Sequence, residues 1–272
     1  MENIFKRLDF VIAECDRTTK HFDKRERDEI MLFCMCMLDR LNFASEGLRI
    51  LMNNFLENTK VEYSCGLIIR SVLLDYLTVL NAMDVYGRNI KDTQAWHTEM
   101  KAFCLMMLSD SVKNTLEYFE TMKNIVPKDS LDRMYSNIVA MHPECFEPYG
   151  NDGSVPVLRT DKHRTPKALF HTLVNSKQLK AYASVYDAYI YYSKYDHFGQ
   201  MFYTLSRARS IDKLAHLDQV LKVFPRSLMF TLTILVTVNA RDPFLKDQLD
   251  KVTGFIDEME GLPQWKMAAK PA

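Results

Sequence analysis

The stretch Tyr63 to Met83, YSCGLIIRSVLLDYLTVLNAM, most constrains what this chain can fold into. On a helical projection Leu67, Ile68, Ile69, Val72, Leu73, Leu74, Leu77, Val79 and Leu80 leave hardly any side polar. A helix apolar all round has to be packed on several faces, so the rest of the chain is expected to gather about it. One full charge, Arg70, lies in its middle. A guanidinium left buried without a partner costs several kcal/mol, so another part of the chain or a ligand must meet it.

The segments around this one read as helices too. Only 8 glycines occur in 272 residues, under half the usual share of roughly 7%, and apolar positions recur at helical spacing. A first helix is expected over about Asn3 to Lys20, with Ile4, Phe5, Leu8, Val11, Ile12 and Cys15 on one face. A second runs from about Asp28 to Leu56, bent near Gly47. Thr59 and Glu62 have capping-box spacing at the start of the apolar helix, and Gly87 is placed to end it. Helical patterns then fill Thr93 to Val126, stopped by Pro127, and Ser130 to Met141. His142 to Pro166 holds four prolines and two glycines, so it reads as a long loop or a linker. Thr165-Pro166 signals a new helix start, and Ser176 should cap the tyrosine-rich helix that follows. Three more helices are expected at about Ser210 to Phe224, Arg226 to Asn239 and Pro243 to Glu260. Residues 262–272 read as a frayed tail. The expectation is an all-α multi-helix bundle around the apolar helix, forming a single domain over 1–272.

Lys+Arg and Asp+Glu balance at 35 each, which disfavours bulk binding of a polyanion. The six cysteines include no CxxC pair, and Cys34 and Cys36 point to different sides of a helix, so neither a disulfide framework nor a zinc site is expected. MENIFKRLDFVIAECD lacks the apolar core of a signal peptide. Leu228 to Val238 is shorter than the roughly 20 residues a bilayer needs. A cytoplasmic protein without membrane contact is the expectation. No cofactor or metal is called for: Glu-x-x-His, HExxH, a P-loop, GxGxxG and GxSxG are all missing.

The second unusual stretch is the tyrosine-rich helix. Tyr182, Tyr186, Tyr189, Ser193 and His197 follow one another at steps of three or four and share a face, flanked by Tyr192, Tyr195 and Asp196. Such a stripe could line a polar pocket or give Arg70 its partner through Asp196. It could equally pack with its hydroxyls at the rim. LIIRSVLLDYLTVL followed, over a hundred residues later, by a tyrosine-rich helix carrying Ser193-x-x-x-His197 resembles a large all-helical prokaryotic family, a domain whose function is not established. The likeness covers roughly Leu38 to Gly199. It implies that Arg70, Ser193 and His197 form an inward-facing polar group. That family tends to place an acid four residues after the Arg, where this chain has Leu74; Asp75 comes one later, about 100° round the helix, so Asp196 or a bound anion is the expected partner of Arg70.

The chain also resembles HEPN-type helical ribonucleases, which carry Arg-x4–6-His. Arg164-TPKALF-His171 and Arg209-SIDKLA-His216 both match, the second better, since Ser210 is polar and the span reads as helix. That resemblance implies metal-independent RNA cleavage, with His216 as general base and Arg209 on the phosphate. Arg159 to Lys180 places six basic side chains against Asp161 alone, a net of +5, and could contact RNA. The competing reading is internal pairing with the acidic C-terminal helix, where Asp242, Asp247, Asp250, Asp257, Glu258 and Glu260 outnumber Lys246 and Lys251.

Three functions stay open. The first is binding of a small anionic ligand or a protein partner through Arg70, Tyr189, Ser193, Asp196 and His197. The second is HEPN-type ribonuclease activity in a defence or toxin system, with a homodimer as the assembly. The third is a purely structural interaction protein.

Overall fold

The computed structural model describes residues 1–22, 28–55, 59–89, 91–141, 143, 146, 179–193 and 213–261. The fold is all-α, and no β-strand occurs among the described residues. The helices are α1 (Glu2–Phe22), α2 (Glu29–Met52), α3 (Thr59–Arg88), α4 (Thr93–Met122), α5 (Lys128–Met141), α6 (Leu179–Ser193), α7 (Lys213–Leu221), α8 (Val223–Val238) and α9 (Pro243–Glu260).

Local capping chemistry sets several of these ends. Asp28 caps α2 by accepting from the Met31 N–H at 2.8 Å, and Asp92 caps α4 through the Ala95 N–H at 2.9 Å. Asp242 accepts from the Phe244 N–H at 3.1 Å with Pro243 beside it, and Gly261 closes α9 at φ 66°, a left-handed conformation that only glycine adopts without strain. The α9 limits therefore fall where Asp242-Pro243 and Gly261 place them. By contrast α3 begins at Thr59 itself, not after it, and α4 stops four residues short of Val126. The expected start signal at Thr165-Pro166 and cap at Ser176 lie outside the described residues, as does most of His142 to Pro166.

Packing divides the chain into two compact units: 1–87 with 166–272, and 88–165 between them. In the larger unit α1 packs on α2, α7, α8 and α9, α2 packs on α8, and α8 on α9. Phe10 stacks on Phe255 at 3.7 Å, and Ile4, Leu8, Val11 and Cys15 of α1 are fully enclosed. α3 joins this core through Tyr76, which stacks on Phe230 of α8, and through Asp75, which takes both Nε and Nη2 of Arg40 on α2 at 2.9 Å. Residues 76–82 of α3 are buried without a break, which makes this half of the helix central in the way its composition predicts. The other half differs: Tyr63 and Ser71 are exposed and Arg70 is half-buried. In the smaller unit α4 packs on α5, and Val112 and Phe146 form a core with Leu108, Leu116, Ile138 and Val139.

Two deeply enclosed charges lie on α1. Arg7 is only 2% exposed and donates through Nη1 to the Asp218 carbonyl at 3.1 Å and to its carboxylate. Glu14, also 2% exposed, accepts from Lys251 at 2.6 Å and Arg17 at 3.2 Å. Three acids of the α9 segment are engaged by neighbours in the same unit: Asp242 with His21 at 2.8 Å, Glu258 with Lys6 at 2.6 Å and Glu260 with Arg226 at 2.6 Å. The basic segment suggested as their partner, Arg159 to Lys180, lies outside the described residues except for Leu179 and Lys180 at the start of α6. Val61–Arg88 and His216–Val238 are each long and apolar enough to cross a membrane, and 67% and 61% of their apolar windows are buried inside the fold.

Candidate functional site

The half-exposed end of α3 meets α6 and α7, and most of the described polar candidates gather there. Glu62, Cys65, Gly66 and Ile69 stand at steps of three and four, so they share one face of α3, and Arg70 follows Gly66 by four on its flank. On α6, Tyr189 and Tyr192 are three apart and both buried, while Tyr191 is turned about 100° from Tyr192 and half-buried.

Arg70 Nη2 donates to the Tyr189 hydroxyl at 3.2 Å, and its guanidinium carbon lies 5.3 Å from the Tyr189 ring centroid. Tyr186 stacks on Tyr189 at 6.3 Å and fixes that ring in turn. Tyr189 thus orients the guanidinium through a hydrogen bond and a cation–π contact without neutralising its charge. The tyrosine-rich helix does reach Arg70, through Tyr189. Ser193 is the last residue of α6, and its hydroxyl lies outside what is described, as do Asp196, His197 and Arg209. Asp75 is taken by Arg40, in keeping with its turn away from Arg70.

Beside Arg70, from Ile69 back to Glu62 of α3, a shallow recess opens. Phe55 comes from the end of α2, Glu62, Cys65, Gly66 and Ile69 from α3, Tyr191 and Tyr192 from α6, and His216 and Leu217 from α7. The His216 ring stacks on Tyr192 at 5.8 Å and meets Tyr191 edge-on at 4.7 Å. Burial first, then the charge of Glu62, raises the Tyr191 hydroxyl above its ordinary pKa. Burial also dominates at Tyr192, with Tyr191, Glu62 and Cys65 adding to it. The Cys65 thiol is pushed up to about 11, by burial and then by Glu62. At neutral pH the two phenols and the thiol therefore stay protonated.

His216, read from sequence as half of an Arg-x6-His motif, lies in an aromatic recess within one chain. Glu62, read only as a capping residue, faces the same recess. The signal that could have found it is its spacing of three, four and seven from Cys65, Gly66 and Ile69. No group of three or more metal-ligating side chains occurs among the described residues. No family model matches the chain, and no match to it is found among curated proteins or among solved structures.

Proposed function

We propose that this chain is a non-catalytic, cytoplasmic helical binding protein that takes a small anionic group at Arg70, where α3 meets α6. The observation that carries this reading is the geometry of Arg70: a half-exposed guanidinium aimed by the Tyr189 hydroxyl and ring. A planar fork of N–H donors held in one orientation suits a carboxylate or phosphate. Ser193, Asp196 and His197 follow Tyr189 in sequence and would complete the binding group. The resemblance to the all-helical prokaryotic family, which also brings Arg70, Ser193 and His197 together, is consistent with it.

Calorimetric titration with phosphate, acetate and a nucleoside monophosphate tests the proposal. Charge-assisted hydrogen bonds contribute roughly 1.5–3 kcal/mol, so Arg70→Met should weaken the bound anion roughly 10- to 150-fold. Tyr189→Phe should weaken it less. Absence of saturable binding by any of the three anions to folded wild type would remove the proposal.

The HEPN-type ribonuclease is the second reading, favoured by His216 lining the same recess as the carboxylate of Glu62. Its ring, stacked on Tyr192 and edge-on to Tyr191, is less available than a general base should be. RNA cleavage in the presence of chelator, abolished by His216→Ala and kept by Arg70→Met, would decide for it.

A further inference from the structure

Helix α2 buries one side in the core, reaches α1 and α3 with its two flanks, and turns the remaining strip outward. On the α1 flank Asn42 donates to Asp16 and Arg49 to Asp9, both at 2.7 Å. On the α3 flank Arg40 holds Asp75, and Gly47 faces the terminal methyl of Ile68. Leu32, Cys36, Phe43 and Ile50 fall between these flanks, at steps of four, seven and seven. All four are exposed, Phe43 by 69% and Ile50 by 68%. A lone exposed apolar residue is ordinary, but four in line over about 27 Å of one helix make a surface that a partner can cover.

The strip is acidic along one edge. Asp39 and Glu46, three residues after Cys36 and Phe43, are exposed on the α1 side and have no ion-pair partner among the described residues. Asp9 and Asp16 of α1 stand on that side too, and Arg49 and Lys20 each pair with one of them. These four carboxylates and two cations leave that edge net negative. On the other edge Arg40 is matched by Asp75.

We propose that this face of α2 docks an amphipathic helix of a partner protein, one with apolar residues along the contact and Lys or Arg along the edge that meets Asp39 and Glu46. Anchors at seven-residue spacing fit a helix lying along α2, its apolar side chains seated between Cys36, Phe43 and Ile50. The carboxylates decide what can lie there. In a parallel pair of α2 helices Asp39 would meet Asp39, and in an antiparallel pair the acidic edge would meet itself, so a second copy is opposed. An anionic membrane is repelled by the same charges; helices that lie on membranes flank their apolar strip with Lys and Arg. The face shares no residue with the Arg70 site and does not depend on that reading.

The test is a fluorescence-anisotropy titration with a labelled synthetic helix of about three heptads, Leu at the first and fourth positions of each and Lys on both flanks. A second peptide has Glu for every Lys. The basic peptide should bind saturably at physiological salt, and the acidic one about tenfold more weakly or worse. Phe43→Ser and Ile50→Ser should each weaken the basic peptide about tenfold or more, and Asp39→Asn with Glu46→Gln about threefold to tenfold. All of these positions are exposed, so the variants should keep the wild-type circular dichroism. Ile125→Ser removes an exposed apolar side chain of the smaller unit and should change nothing. Bound peptide should also slow modification of Cys36, which lies in the strip. Equal affinity for the acidic peptide, binding unchanged in Phe43→Ser and Ile50→Ser, or no saturable binding of the basic peptide by folded wild type would each overturn the proposal. So would a wild-type dimer that Phe43→Ser dissociates in sedimentation equilibrium, which gives the face to a second copy. Binding of wild type to anionic vesicles, lost in Ile50→Ser, would give it to a membrane and overturn the proposal as well.

Discussion

Replacing Arg7 by methionine keeps most of the stem of an almost wholly enclosed side chain and removes its charge. Arg7 is 2% exposed and donates to both the carbonyl and the carboxylate of Asp218. Removing one partner of a buried ion pair costs about 3–5 kcal/mol, because the other charge stays behind uncompensated. Here the abandoned carboxylate is 28% exposed, so water recovers part of that loss. The carbonyl also loses a charged donor, worth about 1.5–3 kcal/mol with an ionised partner. The expected net is about 2–3 kcal/mol, or a Tm roughly 4–12 °C lower for a chain of this size. Urea unfolding at unchanged m is the assay. The double variant Arg7→Met/Asp218→Leu should regain at least about 1 kcal/mol, since two apolar groups leave no buried charge behind. A single-variant loss under about 1 kcal/mol, or a double variant no better than the sum of the singles, would refute this reasoning.

Four further outcomes follow from the same packing. Burial holds the Asp75 carboxyl above its ordinary 3.8, with the Arg40 bond opposing; a carboxyl that binds its proton more tightly when folded favours folding at low pH, and this contribution is lost as pH rises through its folded value. Arg40→Met removes the opposing bond and should move the Asp75 titration higher still, read by carboxyl NMR; a downward move would contradict it. Cys36 is exposed whereas Cys15, Cys34, Cys65 and Cys104 are buried, so Cys36→Ser should delete one fast-reacting thiol in a native titration with a disulfide reagent, and Cys65→Ser none. A Cβ at Gly47 would meet only the terminal methyl of Ile68, at 3.3 Å. That methyl can yield, so Gly47→Ala should stabilise by about 0.5–1 kcal/mol through helix propensity, measured by chemical denaturation.

Much of the architecture was legible because it rests on local rules. Asp242-Pro243 and Gly261 delimit α9 as their capping chemistry requires, and the all-round apolar character of α3 corresponds to the unbroken burial of 76–82. The charges were harder. Arg70 draws the eye because its neighbours in sequence are apolar, yet it lies where α3 is half open, while Arg7 and Glu14 are deeply enclosed. Both sit seven apart on the apolar face of α1. Periodicity counts apolar positions, and a charge on the core face looks like one on the solvent side until its partner, 211 residues away for Arg7, is known. The contact of Arg70 with Tyr189 was half legible: the tyrosine-rich helix and Tyr189 were both identified, while Asp196, the partner expected for Arg70, lies outside the described residues. The recess was not legible, because His216 reaches α6 through packing across 24 residues of sequence, and no spacing rule connects them.

The anion site at Arg70 is the central claim, and the guanidinium itself is its most direct reporter. With arginine side chains labelled in ¹⁵N, the Arg70 Nε–H resonance, assigned by its loss in Arg70→Lys, would be followed as phosphate is added. Anion binding at Arg70 should displace this resonance saturably, by more than exposed arginines such as Arg133 and by less in Tyr189→Phe. A resonance that stays fixed, or that moves only linearly in step with Arg133, would contradict it.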